Sequence, residues 1–276
     1  MERKSVEEKM IQKNLDNTLR DVLEILESDD GKSFEEKRDA AITRLRENPA
    51  SALSEVLIET AIAEKEGNKI RKAFWSAGDM ISVGSGIILR EVIPPDRDGF
   101  LRIQQSYAVM RSMLQEESFC DMIWHEHNEM KSLMFSVIKE GRYLGYCGIK
   151  NIVSEPYEIA VELLPEWTGK GIGFRALTAM LDALRDRLGF IEYRVRIDPS
   201  NIASQKLFER LGAEPNGISE TLIHDERALQ ELEDENLNLI DSSLTQLAEK
   251  FGVEPRKLLS HVLEYKLIWR GGISDG

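Results

Sequence analysis

The sequence contains few of the residues on which several kinds of protein depend. Among 276 residues there are only 2 cysteines, Cys120 and Cys147, so neither a disulfide framework nor a cysteine-based metal site is expected. No apolar run approaches the roughly 18 residues of a membrane span. The charged N-terminus is not followed by the apolar segment of a signal peptide. These absences predict a cytoplasmic protein that neither crosses nor binds a membrane.

Basic residues are also outnumbered. There are 36 lysines and arginines against 49 aspartates and glutamates, which gives a formal net charge of −13. Proteins that bind nucleic acid normally present a basic face, so nucleic acid is not an expected partner. The negative charge suits a cationic amine substrate, and it also suits solubility alone.

The histidines do not predict a metal site. His125 and His127 are two residues apart, whereas the metalloprotease motif places two histidines four apart on one helix face. A spacing of two directs the side chains away from each other on a helix. We therefore interpret this segment as a polar helix end and predict no metal.

Glycine is concentrated in one loop. Gly169, Gly171 and Gly173 alternate along the chain, after an apolar strand and before a helix with apolar periodicity. The start of a helix exposes unpaired N–H groups and the positive end of the helix dipole. Glycine lets that backbone approach a ligand closely. The loop therefore predicts a binding site for a pyrophosphate.

Two other phosphate-binding motifs fit this loop less well. Gly171-x-Gly173-x-x-Ala176 matches the dinucleotide fingerprint, which needs an acid at the end of the next strand. Glu192 has about the right spacing, but it opens that strand. The Walker motif needs Ser or Thr after its lysine, and Gly171 follows Lys170. A nucleotide-binding oxidoreductase remains an alternative that a nicotinamide titration would test.

Two motifs together resemble the GNAT superfamily of acyl-CoA-dependent N-acetyltransferases. Residues 168–173, Thr-Gly-Lys-Gly-Ile-Gly, resemble its (Arg/Gln)-x-x-Gly-x-Gly loop, with Thr168 in the place of the usual Arg or Gln. Asn201-x-x-Ser204 and residues 207–213 resemble the family's helix that closes over the coenzyme. Glu158-Ile-Ala resembles the branch that acetylates ribosomal proteins and protein N-termini. The resemblance covers about residues 86–223 and a last strand near 261–269.

The resemblance implies an α/β (α+β) fold, a mixed sheet flanked by helices. It also implies acetyl transfer from acetyl-CoA to a primary amine by direct attack, with no metal. The acceptor would be a small-molecule or peptide amine, and a homodimer is compatible. The implied coenzyme contacts are Leu163, Leu164, Gly169, Lys170, Gly171, Ile172, Gly173, Phe174, Arg175, Asn201, Ser204 and Phe208.

Two of these implied contacts concern the chemistry directly. The family takes its donors to the thioester oxyanion from the backbone at about Leu163 and Leu164. Phe208 stands where the family usually has a tyrosine that protonates the departing thiolate, and phenylalanine cannot donate a proton. A catalytically silent acyl-CoA-binding sensor or scaffold of the same fold is therefore the alternative function.

Two acids on a central strand are the candidate catalytic groups. Strand alternation puts Glu158 and Glu162 on one face, and ionised carboxylates resist burial without partners. A cleft wall explains them better than a packed core does. We predict that Glu158 accepts the amine proton, with Glu162 second. One of them could instead pair with Arg194 or Arg196.

The apolar pattern divides the chain in two. Residues 1–80 predict a helical module without catalytic groups, and residues 81–276 predict the acetyltransferase domain. A helical insertion at about 225–259 precedes the last strand and is expected to cover the acceptor side. The predicted strands are 87–92, 133–138, 143–149, 157–164, 191–197, 218–223 and 261–269, and the predicted helices are 97–114, 118–129, 174–188 and 201–211.

Overall fold

The chain divides into two compact units, residues 1–65 and 66–276. The computed structural model describes residues 20–21, 24–25, 28, 31–46, 52–220 and 225–271. Helix α1 is Phe34–Arg46, and helix α2, Ala52–Ser76, begins in the first unit and ends in the second. Residues 1–19 of the predicted helical module lie outside the described residues. The division at 65/66 falls earlier in the chain than the predicted boundary at 80/81.

The second unit contains a sheet flanked by helices, as predicted. The described strands run in the order β1-β2-β3-β4-β5-β6-β8-β7, and every neighbouring pair is antiparallel except β5 and β6. The strands are β1 Met80–Gly84, β2 Ile87–Glu91, β3 Leu133–Lys139, β4 Arg142–Ile149, β5 Tyr157–Leu163, β6 Glu192–Ile197, β7 Glu214–Glu220 and β8 His261–Ile268. The helices are α3 Arg97–Gln104, α4 Glu117–His127, α5 Ile172–Leu188, α6 Ile202–Arg210, α7 Glu226–Glu235 and α8 Ser242–Phe251.

Most of these elements were predicted, with three differences. The helix predicted at 97–114 is wrong beyond Gln104, where α3 gives way to short 3-10 turns. Strand β1 was not predicted, because five residues at an edge carry little periodic signal. Strand β7 begins at Glu214, before the predicted residue 218. The predicted strands 133–138 and 143–149 form a hairpin as β3 and β4, and at its turn Glu140 and Gly141 adopt the positive φ that a tight hairpin requires.

Each face of the sheet has its own apolar core. On one face α5 buries a stripe of fully covered side chains, namely Ala176, Leu177, Met180, Leu181 and Leu184, whose spacing matches the helical period. Phe208 of α6 and Phe251 of α8 belong to the same core. On the opposite face Phe100 and Ile103 of α3 pack with Tyr146 and Ala160 of the sheet.

The insertion packs near α6, contrary to the expectation that it covers the acceptor side. The ring of Phe251 meets that of Tyr265 edge-on, with centroids 5.0 Å apart. Lys250 Nζ pairs with Glu209 of α6 at 2.6 Å. Both contacts lie on the face that carries α5 and α6, because Phe251 and its apolar neighbours on α8 need a core to cover them.

The two central parallel strands separate along their length. Strands β5 and β6 pair only at Tyr157 with Tyr193 and at Glu158 with Arg194. The residues of β5 that follow, up to Leu163, therefore have no recorded partner on the β6 side among the described residues. This leaves an opening in the middle of the sheet, in front of the glycine loop.

Candidate active site

A cavity of about 440 Å³ lies at this opening, and we call it the glycine-loop cavity. It takes its walls from the end of β5, the glycine loop and α6. Its lining residues are Tyr107, Val161, Glu162, Leu163, Thr168, Gly169, Gly171, Ile172, Gly173, Phe174, Asn201, Ala203, Ser204, Lys206, Leu207 and Arg210. Eight of the predicted coenzyme contacts therefore come together here: Leu163, Gly169, Gly171, Ile172, Gly173, Phe174, Asn201 and Ser204.

The glycine loop has the open geometry that an anion needs. Gly171 is the N-cap of α5 with φ of 70°, a left-handed conformation that glycine adopts without steric cost. A Cβ placed on Gly169 or Gly171 would meet no atom within 4 Å, so the space in front of the loop is free. The first N–H groups of α5 and the positive end of its dipole therefore face a cavity.

The backbone N–H groups of Leu163 and Leu164 point in different directions. The N–H of Leu164 donates to Leu144 O at 2.9 Å, and that of Lys150 donates to Glu158 O at 3.0 Å. Residues along an antiparallel pair alternate between bonding to the partner and facing away. The N–H groups of Val161 and Leu163 therefore point away from β4, into the opening. The prediction that Leu164 contacts the coenzyme is not supported, because its N–H already bonds to Leu144 O and the residue does not line the glycine-loop cavity.

Helix α6 begins at one cavity wall. Asn201 is its N-cap, and Asn201 Oδ1 accepts a hydrogen bond from the N–H of Ser204 at 3.0 Å. Both side chains line the glycine-loop cavity, so capping and cavity contact coexist. Phe208 does not line it and is only 2% exposed. A phenyl ring has no polar group that burial would leave unpaired. Phe208 therefore lies in the core and not at its predicted place beside the coenzyme.

The cationic residues of the cavity differ from those predicted. The Lys170 ammonium lies 4.8 Å from the centroid of the Trp167 ring, and Arg175 Nη1 donates to Ser85 Oγ at 3.0 Å. Neither residue lines the cavity. Lys206 and Arg210 do. Neither residue was predicted from the sequence, although two basic residues four apart on α6 lie on one face of the helix.

A second cavity of about 430 Å³ lies on the face of the sheet that carries α3 and α4, and we call it the aromatic cavity. Its lining residues are Phe100, Gln104, Met110, Ile123, Glu126, His127, Glu129, Lys131, Met134, Tyr146, Lys150, Ala160 and Glu162. Glu162 lines both cavities. This residue therefore lies where the two cavities meet.

Glu162 is the carboxylate with the properties of a base. Burial raises its pKa above the ordinary value, and hydrogen bonds offered by Tyr146, Tyr107 and Gln104 offset that only in part. Gln104 Nε2 donates to Glu162 Oε2 at 3.2 Å. A carboxylate with a raised pKa holds a proton nearer to neutral pH, which favours general base catalysis.

Glu158 has the opposite environment. Its carboxylate receives Lys150 Nζ at 2.8 Å, Arg196 Nε at 2.9 Å and Arg194 Nη2 at 3.4 Å. Burial alone would raise its pKa, but Lys150 and Arg196 outweigh burial and lower it. Glu158 lines neither cavity. This is the ion pairing left open by the sequence, and it ranks Glu162 ahead of Glu158.

His127 lies inside the molecule rather than at a polar helix end, so that prediction is wrong for this residue. It is 7% exposed, and its ring centroid lies 4.4 Å from that of Phe100 and 4.5 Å from that of Tyr146. Burial lowers its pKa to about 4, against a smaller opposing effect of Asp96. His127 Nε2 has no hydrogen-bond partner among the described residues. The aromatic cavity is therefore lined by a neutral histidine whose Nε2 is buried and finds no partner among the described residues.

The described part of the chain contains no group of three or more His, Cys, Asp or Glu side chains that could hold a metal ion. None of its helices is both long enough and apolar enough to span a bilayer.

Comparison with known proteins gives one family match. The model of the acetyltransferase (GNAT) domain matches residues 87–214, from the start of β2 to the start of β7. A protein of Bacillus subtilis (strain 168), named as a candidate ribosomal protein bS18-alanine N-acetyltransferase, is 28% identical over 120 residues. That alignment covers 42% of this chain and 77% of the relative.

Solved structures of similar proteins are more distant in sequence. RimL, a ribosomal L7/L12 alpha-N-protein acetyltransferase in complex with coenzyme A, is 14% identical with a TM-score of 0.48, over 70% of this chain and 99% of its own. The microcin C7 self-immunity acetyltransferase MccE, in complex with acetyl-CoA and AMP, is 14% identical with a TM-score of 0.47, over 69% and 96%.

The family match and the geometry agree. The family model spans β5, the glycine loop and α6, which are the elements that build the glycine-loop cavity. The predicted family, the mixed sheet flanked by helices, the acetyltransferase class and the acetyl-CoA co-substrate are thereby confirmed. The chain carries an acetyltransferase domain of the GNAT family.

Proposed function

We propose that this domain moves the acetyl group of acetyl-CoA, bound in the glycine-loop cavity, to a primary amine that enters through the aromatic cavity. One observation carries the proposal: Glu162 lines both cavities. A carboxylate at that junction can reach an amine on one side and a thioester on the other. The raised pKa of Glu162 supports the same assignment.

The coenzyme contacts follow from the lining of the glycine-loop cavity. The N–H groups at the start of α5 bind the pyrophosphate. Lys206 and Arg210 add positive charge for phosphate at the far wall, and Asn201 and Ser204 contribute polar contacts from α6. The free N–H groups of Val161 and Leu163 hold the arm of the coenzyme and the thioester oxygen. Thr168 takes the place of the usual Arg or Gln and donates its hydroxyl to Pro165 O instead, at 2.8 Å.

The reaction needs a neutral amine. Glu162 accepts a proton from the acceptor ammonium, and the free amine then attacks the thioester carbon. Negative charge develops on the thioester oxygen, where the N–H of Leu163 can stabilise it. As the C–S bond breaks, the coenzyme leaves as a thiolate, and the nitrogen loses its second proton to solvent to give the amide.

The acceptor we favour is the N-terminal amine of a polypeptide. An α-amino group has a pKa about 2.5 units below that of a lysine side chain, so roughly 300-fold more of it is neutral at the same pH. A carboxylate of moderately raised pKa is therefore better matched to an α-amine. The named relatives, which act on ribosomal proteins, support a protein acceptor. Whether the protein forms a homodimer stays a prediction, as does its cytoplasmic location.

The test is a thiol-release screen with acetyl-CoA and a panel of amines. The panel contains peptides with different N-terminal residues, lysine-containing peptides with blocked N-termini, and polyamines. Release with free N-terminal peptides is expected, and Glu162→Gln should lower it by about 10²- to 10⁴-fold. Glu158→Gln is the matched control on the same strand and should retain turnover.

Coenzyme binding without release on any amine would contradict the enzyme and favour the alternative of an acyl-CoA-binding sensor. Turnover lost in Glu158→Gln and retained in Glu162→Gln would return the base to the residue that the sequence ranked first.

A further inference from the structure

We propose that Tyr107 is the acid that protonates the departing coenzyme thiolate, a catalytic residue supplied from the segment after α3 instead of from α6. This inference rests on the acetyl transfer proposed above and adds the second proton step to it. The position on α6 that the family resemblance assigns to a tyrosine holds Phe208, which is buried in the core. Some other group must therefore meet the thiolate, or the thiolate must leave unprotonated.

Tyr107 is the tyrosine that reaches this cavity. The chain has 6 tyrosines, all within the described residues, and Tyr107 alone among them lines the glycine-loop cavity. Its backbone is fixed by two turns, because its N–H donates to Gln104 O at 3.1 Å and its carbonyl accepts from the N–H of Met110 at 3.1 Å. The residue is 46% exposed, so its side chain has room to contact a ligand.

Tyr107 and Glu162 are electrostatically coupled. The Tyr107 hydroxyl lies close enough to the Glu162 carboxylate to lower the pKa of that carboxylate, and so does the Tyr146 hydroxyl on β4. The other charged groups that line this cavity are Lys206 and Arg210. Burial raises the pKa of Tyr107, and the negative charge of Glu162 raises it further. The phenol is therefore fully protonated before the reaction starts.

Because of this coupling, the acidity of Tyr107 depends on whether Glu162 is protonated. When Glu162 has taken the proton of the amine, its negative charge is gone. The part of the raised pKa of Tyr107 that comes from that charge then disappears, so the phenol becomes a stronger acid. The acid is thus strengthened only after the base has acted, which is when the thiolate leaves.

The step balances without any further reactant. The amine nitrogen forms a bond to the acetyl carbon, and the C–S bond breaks with its electron pair on sulfur. The sulfur takes the proton of the Tyr107 hydroxyl, and the phenolate takes back the proton that Glu162 received from the ammonium. The acylated nitrogen loses its second proton to solvent, which leaves the neutral amide. The products are the acetylated amine and free coenzyme thiol, and both side chains return to their starting forms.

The experiment measures thiol release in a single turnover, with enzyme in excess over acetyl-CoA, so that product release does not limit the rate. Tyr107→Phe should lower this rate by roughly 10²-fold, with the affinity for acetyl-CoA changed by less than about twofold. The wild-type rate should be slower in D₂O, and Tyr107→Phe should lose that isotope effect. Tyr157→Phe is the matched control, because Tyr157 stacks on Phe190 away from both cavities, and it should behave as wild type.

Gln104→Leu separates an acid from a positioning role. It removes another hydrogen bond to Glu162 while the phenol remains, so it should lose less rate and keep the isotope effect. A Tyr107→Phe rate within about threefold of wild type overturns the inference. So does an equal loss in Gln104→Leu with the isotope effect retained in both. In either case a dead Glu162→Gln variant leaves the proposed function standing, whereas a wild-type protein that releases no thiol with any amine overturns both.

Discussion

At the scale of single residues, Glu158 and Glu162 show how strongly neighbours decide the behaviour of a carboxylate. They are four residues apart on β5, yet three cationic groups form ion pairs with Glu158, whereas neutral hydroxyl and amide groups and only the charge of Lys150 act on Glu162. The pKa of Glu158 is lowered and that of Glu162 is raised. The Glu158 carboxylate therefore forms ion pairs between β5 and β6, whereas the Glu162 carboxylate is the one suited to accept a proton.

The first prediction is that the two charge-removing variants separate stability from activity. At neutral pH the ionised Glu162 opposes folding because its pKa is raised, so Glu162→Gln should have a melting temperature equal to or above that of wild type. Glu158→Gln leaves three cationic groups without their partner and should lose stability on the order of 1–3 kcal/mol. Thermal unfolding of both variants, beside the turnover screen, tests this. Unfolding of Glu162→Gln at a clearly lower temperature would contradict it.

The second prediction concerns pH. The stabilisation from Glu158 is present above its ordinary pKa of 4.5 and is lost as the pH falls through its lowered pKa in the folded protein. The gap in melting temperature between wild type and Glu158→Gln should therefore be largest near neutral pH and should close in acid. The turnover of wild type should instead fall on the acid side as Glu162 becomes protonated, at a pH above 4.5, because its pKa is raised. A stability gap that widened in acid would rule out this assignment.

At the scale of elements, the site depends on where two helices begin. Helix α5 starts at a left-handed glycine that faces a cavity, and α6 starts at a capping asparagine that lines the same cavity. No side chain caps the start of α5, so its first N–H groups can bind a ligand in the cavity. At α6 the N–H of Ser204 is already bonded to Asn201, so this helix start offers the cavity mainly its side chains.

The third prediction compares the two ends of α5. Gly171 and Gly189 have φ of 70° and 75°, and a Cβ on either would meet no protein atom within 4 Å. Alanine at either position should therefore cost about 1–2 kcal/mol in backbone strain. Only Gly171→Ala should also weaken acetyl-CoA binding, by at least about 10-fold, or about 1.4 kcal/mol. Calorimetry on both variants checks this, and equal affinities in the two would move the pyrophosphate away from the loop.

The fourth prediction concerns the cap of α6. Asn201→Ala removes the hydrogen bond to the N–H of Ser204 and should cost about 1 kcal/mol of stability. It should also raise the Michaelis constant for acetyl-CoA. Asp225 caps α7 in the same way, by accepting from Arg227 and Ala228, but lines neither cavity. Asp225→Ala should lower the melting temperature to a similar extent without changing that constant, and a purely thermal effect in Asn201→Ala would leave it as a cap alone.

At the scale of the whole molecule, the last turns of α2 belong to the core of the second unit. Phe74 is fully buried, and its ring centroid lies 5.3 Å from that of Phe135. Arg187 Nη1 donates to the carbonyls of Phe74 and Gly78, at 3.2 Å and 2.9 Å. Residues 66–76 therefore pack into the core of the second unit, although they precede its first strand.

The fifth prediction follows from this packing. A chain that begins at Glu66 should fold and bind acetyl-CoA as the full chain does. A chain that begins at Met80 lacks Phe74 and should lose about 3–5 kcal/mol, the cost of emptying a large buried aromatic site. Chemical denaturation and calorimetry on both truncated chains measure this. Equal stability of the two would show that α2 contributes nothing to the core.

The sequence by itself determined those features that depend on neighbours along the chain. Alternate glycines between a strand and a helix are typical of a phosphate-binding turn, so the loop from Gly169 to Gly173 was recognisable before any fold was known. The capping asparagine, the hairpin at Glu140 and the apolar stripe of α5 are equally local. For the same reason the family could be inferred from two short motifs with a strand between them.

Only the tertiary structure decided which side chains meet. Strand alternation put Glu158 and Glu162 on the same face, but not the three cations around one of them or the cavities on both sides of the other. Tyr107 is more than fifty positions from Glu162 along the chain, and no spacing rule connects them. The environment of a charge depends on every element that packs around it, and the pKa follows from that environment. The assignment of base and acid therefore had to wait for the fold.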